Sequence, residues 1–337
     1  MSLTTVPRNP TRTLTALLSA GTITLLLTAL PIALAGAEPL GAFRRYFVTP
    51  VTTPQGIAEL LLAATPLLFT GLAAMIAFRV GYYNIGIEGQ FLAGAITASV
   101  FALAFPELPG WLALPLGLMA GICGGVLWAA VPLWLKLRAR IDEVVSTLLL
   151  NPVALLLLQG LLNGPYRNSE TGFPDSDSFG AGYLLGPLIP GSRVHWGAAL
   201  AVGLIVLAGL TIALTPLGIR ARAVGQAPAA ATFSGISVPR MQAWSALISG
   251  GLAGLGGASQ VFGVNHQLTA SFAVGYGYTG IVVATLGGLS AVGLFLAACL
   301  LGSIAVGALS ASVSLGVPAQ MGTVVTSTLL LAVVGSL

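Results

Sequence analysis

The stretch Asn84-Ile85-Gly86-Ile87-Glu88-Gly89-Gln90 sets two amides and one carboxylate into otherwise apolar sequence, with Arg79 a short way ahead. Such groups exchange hydrogen bonds with a polar solute leaving water, where an unpaired polar group costs on the order of 1 to 3 kcal/mol. Glu88 is the only strong acid among them. An ionisable side chain at membrane depth costs about 2.5 to 3.5 kcal/mol, so it needs a partner or a task. Three arrangements satisfy it. Asn84, Glu88 and Gln90 can line a polar cavity; Glu88 can accept backbone N–H groups freed at a helix break; or Glu88 can sit at the membrane surface, weakly paired with Arg79. Asn84 suits a helix N-cap, and Gly86 and Gly89 suit a break or a close helix contact, which predicts a short, interrupted helix. Irregular backbone is tolerated at that depth only where protein or water surrounds it.

Other chemistries find little in the chain. Cys123 and Cys299 both fall in apolar runs, which predicts packing residues and neither a disulfide nor a metal site. His195 and His266 are isolated, with no H-E-x-x-H and no paired intramembrane Asp, so no metal, bound cofactor or intramembrane enzyme is expected. The only lysine, Lys136, lies between Leu135 and Leu137. A Walker A loop needs Gly-Lys-Ser/Thr, so ATP hydrolysis by that route is excluded and energy must come from a partner or an ion gradient.

Composition supplies the setting. Hydrophobic residues make up 56% of the chain and charged ones 7%, against about 25% charged in a soluble domain, and the mean hydropathy is +0.97. No Asp, Glu, Lys or Arg follows Arg240. This is an integral membrane protein, and its net charge of +4 bears on loop placement and not on nucleic acid. Apolar runs cover residues 14–36, 57–78, 90–105, 111–135, 144–162, 196–214 and 242–262, then a short run at 279–288 and two more to the end. The expectation is all-α: a polytopic membrane helix bundle of nine full spans and one partial or broken helix. Residues 1–13 form a tail and 14–337 a single transmembrane domain. Ala35-Gly36-Ala37 resembles a signal-peptide cleavage site, but the first run exceeds the usual ~7 to 15 residues and more spans follow, which favours an uncleaved first span.

Lys and Arg near span ends stay cytoplasmic. With the N-terminus inside, nine basic residues (Arg8, Arg12, Arg79, Lys136, Arg138, Arg140, Arg220, Arg222, Arg240) face the cytoplasm and four (Arg44, Arg45, Arg167, Arg193) face out. The polar segment 163–195 is then an external aqueous loop and 215–241 a cytoplasmic one. Within the latter, residues 218–236 predict a short helix after Pro228, bounded by Gly235. Arg220, Arg222, Gly225, Ala229, Ala230 and Gly235 suit docking onto a partner protein, or a plain solvated connector.

Two patterns concern packing. Gly86-Ile87 with Leu92 and Gly94 matches Gly280-Ile281 with Leu286 and Gly288, a faint inverted internal repeat of the kind that places a site between broken helices. Gly117, Gly121 and Gly125, and Gly250 with Gly254, predict close helix packing. Pro66, Pro115, Pro132 and Pro152 fall inside spans, where they can kink them.

The motif N-I-G-I-E-G-Q, the segment Glu143-Val144-Val145-Ser146-Thr147-Leu148-Leu149-Leu150-Asn151 and the loop R-A-V-G-Q-A-P-A-A-A-T-F-S-G-I together resemble the permease subunit of nucleoside-type ABC importers, relatives of which serve simple sugars and branched-chain amino acids. The similarity runs from about Ile57 onward; Pro152 stands where an aromatic is expected after Asn151. The resemblance implies a permease of the inner (plasma) membrane that pairs with a second, similar permease. It also implies a cytoplasmic ATPase, which uses the ATP, and an external substrate-binding lipoprotein. Asn84, Glu88, Gln90 and Asn151 would belong to the substrate path, and the Arg220 to Ile236 loop would be the coupling segment. Permeases for sugars or branched-chain amino acids, and an ion-coupled secondary transporter, are the alternatives.

Overall fold

In lipid every backbone polar group must be satisfied within the protein, so apolar runs of span length become helices. The computed structural model describes residues 10–170, 172–270, 272 and 275–336. Its helices, in chain order, are α1 (Pro10–Leu34), α2 (Pro39–Phe43), α3 (Thr49–Thr52), α4 (Pro54–Arg79), α5 (Ile87–Ala104), α6 (Gly110–Trp134) and α7 (Glu143–Leu162). They continue with α8 (Trp196–Leu214), α9 (Pro216–Gln226), α10 (Pro228–Phe233), α11 (Val238–Gln260), α12 (Tyr276–Leu286), α13 (Ala291–Leu315) and α14 (Met321–Ser336). Among the described residues the only β pairing is two isolated bridges, Asp175 with Thr269 and Pro187 with His195.

Each of the ten expected apolar runs is a helix. Among the described residues seven helices are long and apolar enough to cross a membrane, and an eighth counts if the pair Gly21–Leu34 and Pro39–Thr52, bent by 120°, is one span. Tyr276–Leu286 and Met321–Ala332 are shorter apolar helices. Pro39 starts a new helix after the turn at residues 35–37, and the last run yields a helix of 16 residues.

The described chain divides into two compact units. In the larger, Thr65–Phe295, α5, α6 and α11 pack backbone against backbone. A Cβ added at Gly94 would overlap Gly254 Cα, one at Gly125 would overlap Gly250 O, and one at Gly254 would overlap Gly121 O. Gly at these positions gives up helix propensity of about 1 kcal/mol each, offset by the close contact it permits between helices. The expected packing role of Gly121, Gly125, Gly250 and Gly254 is what the structure shows.

The segment 163–195 is less aqueous than its composition suggests. Phe179, Tyr183, Leu185, Val194 and His195 are buried, and the ring of Phe262 lies 5.5 Å from those of both Phe179 and Tyr183. Tyr183 Oη donates to Phe105 O at 2.7 Å. This connection is therefore packed in part over the ends of α5, α6 and α11, while residues such as Phe173, Asp177 and Ile189 stay exposed.

The smaller unit joins Met1–Ala64 to Leu296–Leu337. Here α1 packs along α14. Ser303 Oγ donates to Tyr46 O at 2.8 Å, and Gly307 leaves no room for a Cβ beside Tyr46. Arg44 and Arg45 lie in a π-helical turn between α2 and α3, not in an open loop. Cys123 is exposed and Cys299 half-buried, and both are free thiols.

Candidate functional site

The chain leaves α4 at Arg79, turns, and re-enters helix at Ile87. The expected interruption is therefore the irregular segment 80–86 ahead of α5, which itself runs unbroken for 18 residues. Gly86, not Asn84, is the N-cap of α5. Asn84 instead makes an Asx-type turn, its Oδ1 accepting the Gly86 N–H at 3.1 Å. The same residue types serve both structures, because both use a short side-chain oxygen to hold a nearby backbone N–H.

Asn84 faces Gln90, one turn into α5, in a reciprocal amide pair: Asn84 Nδ2 donates to Gln90 Oε1 at 2.8 Å and Gln90 Nε2 donates to Asn84 Oδ1 at 3.1 Å. Asn84 Nδ2 also donates to Ser249 Oγ of α11 at 2.9 Å. Asn151 ties in α7, with Oδ1 accepting Gly89 N–H at 2.9 Å and Nδ2 donating to Ile85 O and to Tyr278 Oη, each at 3.0 Å. Thr147 Oγ1 accepts Ile85 N–H at 3.2 Å. Gly89 leaves no space for a side chain beside Asn151 and Trp128.

Glu88 reaches in the other direction. Its Oε1 accepts the N–H of Gly275 and its Oε2 that of Gly277, both at 2.6 Å. These N–H groups belong to the N-cap and first turn of α12, where four donors lack intrahelical partners and the helix dipole favours an anion. Of the three arrangements open to Glu88, this is capture of backbone N–H groups at a helix break. The surface pair with Arg79 does not form, since Arg79 Nε donates to Leu289 O at 2.8 Å. A side chain at Gly277 would run into the Glu88 backbone, so α5 and α12 meet N-terminus to N-terminus.

The four polar residues read from the sequence are thus gathered in one place and nearly sealed: Asn84 is 0% exposed, Glu88 5%, Gln90 2% and Asn151 2%. Their network reaches the surface at Tyr278, 42% exposed. Ser249, Thr147, Gly275, Gly277 and Tyr278 complete it. Of these only Thr147 fell in a stretch the sequence singled out, and the run Gly275-Tyr276-Gly277-Tyr278 was the available signal for the rest. The matched pattern at Gly280-Ile281 falls in the middle of α12, whereas Gly86-Ile87 starts α5. The structural counterpart of Gly86 is the N-cap Gly275, which the pattern did not pick out.

The second candidate region is the connection from α8 to α11. The short helix expected after Pro228 is α10, and Gly235 ends it with φ +78°, a conformation that suits glycine. Arg220, Arg222, Ala229 and Ala230 are exposed, and Phe233 is 96% exposed. Gly225 allows α9 to approach the carbonyl of Arg79. The chain's one lysine, Lys136, pairs with Glu143 at 2.7 Å and lies 4.9 Å from the centre of the Tyr82 ring.

A helical membrane bundle with buried polar seams between spans and an exposed helical hairpin between two of them is the build of a transport subunit. Residues 56–334 match the family described as branched-chain amino acid transport system / permease component, and the chain belongs to that permease family. It is 34% identical to the glucose ABC transporter permease protein TsgB13 of Haloferax volcanii, over 97% of this chain and 90% of that one. It is 35% identical to the guanosine ABC transporter permease protein NupP of Bacillus subtilis, over 83% and 81%. It is 29% identical to the nucleoside ABC transporter permease protein NupB of Lactococcus lactis subsp. cremoris, over 96% and 91%. No solved structure matches the chain.

Proposed function

We propose that this permease forms the path for a nucleoside-like small solute in an ABC importer of the inner membrane, with the N-terminus in the cytoplasm. A cytoplasmic ATPase consumes the ATP, a second similar permease completes the path, and an external binding lipoprotein delivers the solute. The carrying observation is α10: Ala229, Ala230 and Phe233 stand exposed on a short helix that no element covers among the described residues, at the end of the bundle where basic residues concentrate. Large exposed aromatics on a polar loop mark contact surfaces, and the ATPase is the occupant that fits.

In the path, Asn84, Glu88, Gln90 and Asn151 act from behind, because their hydrogen bonds are taken up among themselves and by backbone. They hold the first turns of α5 and α12 and present Tyr278, whose ring can stack on a base or the apolar face of a sugar. The test couples uptake to assembly. Ala230→Glu adds a charge at an exposed position and should leave insertion and melting intact, while the ATPase no longer co-purifies and ATP-driven uptake in vesicles falls. Undiminished co-purification and uptake would make the loop a connector. A sugar permease is the second reading, favoured by the extent of the likeness to the glucose permease; a panel of labelled guanosine, other nucleosides and glucose separates the two.

A further inference from the structure

A cavity of about 490 Å³, distinct from the polar seam, opens where three spans end. Arg79 closes α4, Gly209 and Ile212 belong to the last turns of α8, Arg222 lies on α9, and Ser290 and Val292 start α13. Span ends place the cavity at the boundary between hydrocarbon and water. Its volume is that of a small-molecule site, and it holds two cations without a lining carboxylate.

The arginines are arranged for an anion. Arg79 Nε is held by Leu289 O at 2.8 Å, in a turn where Gly288 and Leu289 both have positive φ. That bond holds Nε of a guanidinium that lines the cavity, and no second hydrogen bond from Arg79 forms among the described residues. Arg222 forms no ion pair among them either. Gly225 brings α9 onto the Arg79 carbonyl, which sets the two like charges at one cavity. Guanidinium groups recognise phosphate by paired N–H donors. Ile219 and Val292 line the cavity and are exposed, side chains suited to acyl chains and not to water.

We propose that this cavity binds the phosphate headgroup of an anionic phospholipid, with the acyl chains lying along α8 and α13. The lipid would hold α9, and with it the exposed hairpin, against the ends of α4 and α13. Basic pockets between spans on the cytoplasmic side bind such headgroups. The two arginines distinguish a phosphatidylglycerol from a zwitterionic phosphatidylcholine by net charge.

Native mass spectrometry of the purified full-length permease, titrated with dioleoyl phosphatidylglycerol, dioleoyl phosphatidylcholine or glycerol 3-phosphate, tests this. One phosphatidylglycerol should bind in preference to phosphatidylcholine, and glycerol 3-phosphate should bind far more weakly. Arg79→Gln and Arg222→Gln should each weaken phosphatidylglycerol about fivefold, the worth of one basic residue near an anionic lipid surface. Arg220→Gln, on the same helix but outside the cavity lining, should retain the preference. Arg222 is exposed, so Arg222→Gln keeps the test alive if Arg79→Gln fails to fold. Equal binding of the two lipids, an undiminished preference in Arg222→Gln, or glycerol 3-phosphate binding as tightly as phosphatidylglycerol overturns the proposal.

Discussion

Glu88 Oε2 takes the N–H of Gly277 at 2.6 Å, a bond between residues 189 positions apart that joins the first turn of α5 to the first turn of α12. With Oε1 on Gly275, one carboxylate serves two backbone donors that lipid could not. Removing it exposes two unsatisfied N–H groups, each costing about 1 to 3 kcal/mol. Glu88→Ala should therefore lower the melting temperature of the detergent-purified permease. Glu88→Gln should lie between it and the parent, because its amide keeps one acceptor but turns a second donor on a donor. An alanine variant that melts like the parent would sink the capping role, whatever its transport.

The Asn84–Gln90 pair makes a second prediction. Each residue satisfies the other, so after one substitution the second loses little. In a double-mutant cycle, Asn84→Ala and Gln90→Ala should be non-additive by about 0.5 to 3 kcal/mol, measured by denaturant or thermal unfolding in mild detergent. Additive losses would show that the 2.8 and 3.1 Å bonds carry no mutual energy.

Topology is tested by single cysteines in a background lacking Cys123 and Cys299. Ser176, the obvious probe of the segment 163–195 by sequence, is buried, with Oγ accepting Leu268 N–H at 2.9 Å. Ser178 and Ser234 are exposed. Ser178→Cys should react with an impermeant maleimide in intact cells and Ser234→Cys only after permeabilisation. Reaction of both in intact cells would reverse or break the arginine-based orientation.

The spans were legible because hydrocarbon imposes a simple rule: ten apolar runs became ten helices. Contacts that close over distance were not. Tyr183 and Phe179 sit in a stretch whose Gly, Pro and acidic residues read as water-facing, and partners far along the chain, Phe105 for Tyr183 and Phe262 for both, reveal that they are buried. Glu88, Asn84, Gln90 and Asn151 were recognisable as a set because polar groups are rare in such sequence. Several of their partners are backbone atoms, which carry no residue signature: Gly275 and Gly277 act through N–H, Ile85 through C=O. That is why the residues could be chosen from the sequence while their hydrogen-bonding partners could not.

The glycine contacts predict a sharp contrast. Gly254→Ala puts a methyl into Gly121 O and the Gly125 backbone, and the two helices cannot both keep their places. It should yield little monodisperse permease. Gly203→Ala, in α8 with nothing within 4 Å of its Cβ, should match or slightly exceed the parent, since Ala is the better helix former by about 1 kcal/mol. Size-exclusion profiles of the two variants decide it. Equal profiles would mean that α6 and α11 can separate without loss.

His195 gives the permease an acid limit. It is the N-cap of α8, its Nδ1 accepting Gly197 N–H at 3.2 Å, while Nε2 is buried with no hydrogen-bonding partner among the described residues. Gly197 and Gly263 press on either part of the ring so closely that neither has space for a Cβ. Burial, with a smaller contribution from His266, pushes the imidazole down from 6.5 to about 4. The folded state therefore holds the neutral form, and the unfolded chain binds the extra proton first. The stabilisation is complete above the unfolded value near 6.5 and is lost as pH falls from there toward 4, with no further loss below. A shift of this size is worth about 3 kcal/mol across the window. His195→Asn keeps an acceptor for the Gly197 N–H and cannot titrate. Its melting temperature should change less than the parent's between pH 6.5 and 4, with the two curves parallel above pH 7. Parallel curves over the whole range would show that His195 does not set the acid sensitivity of the fold.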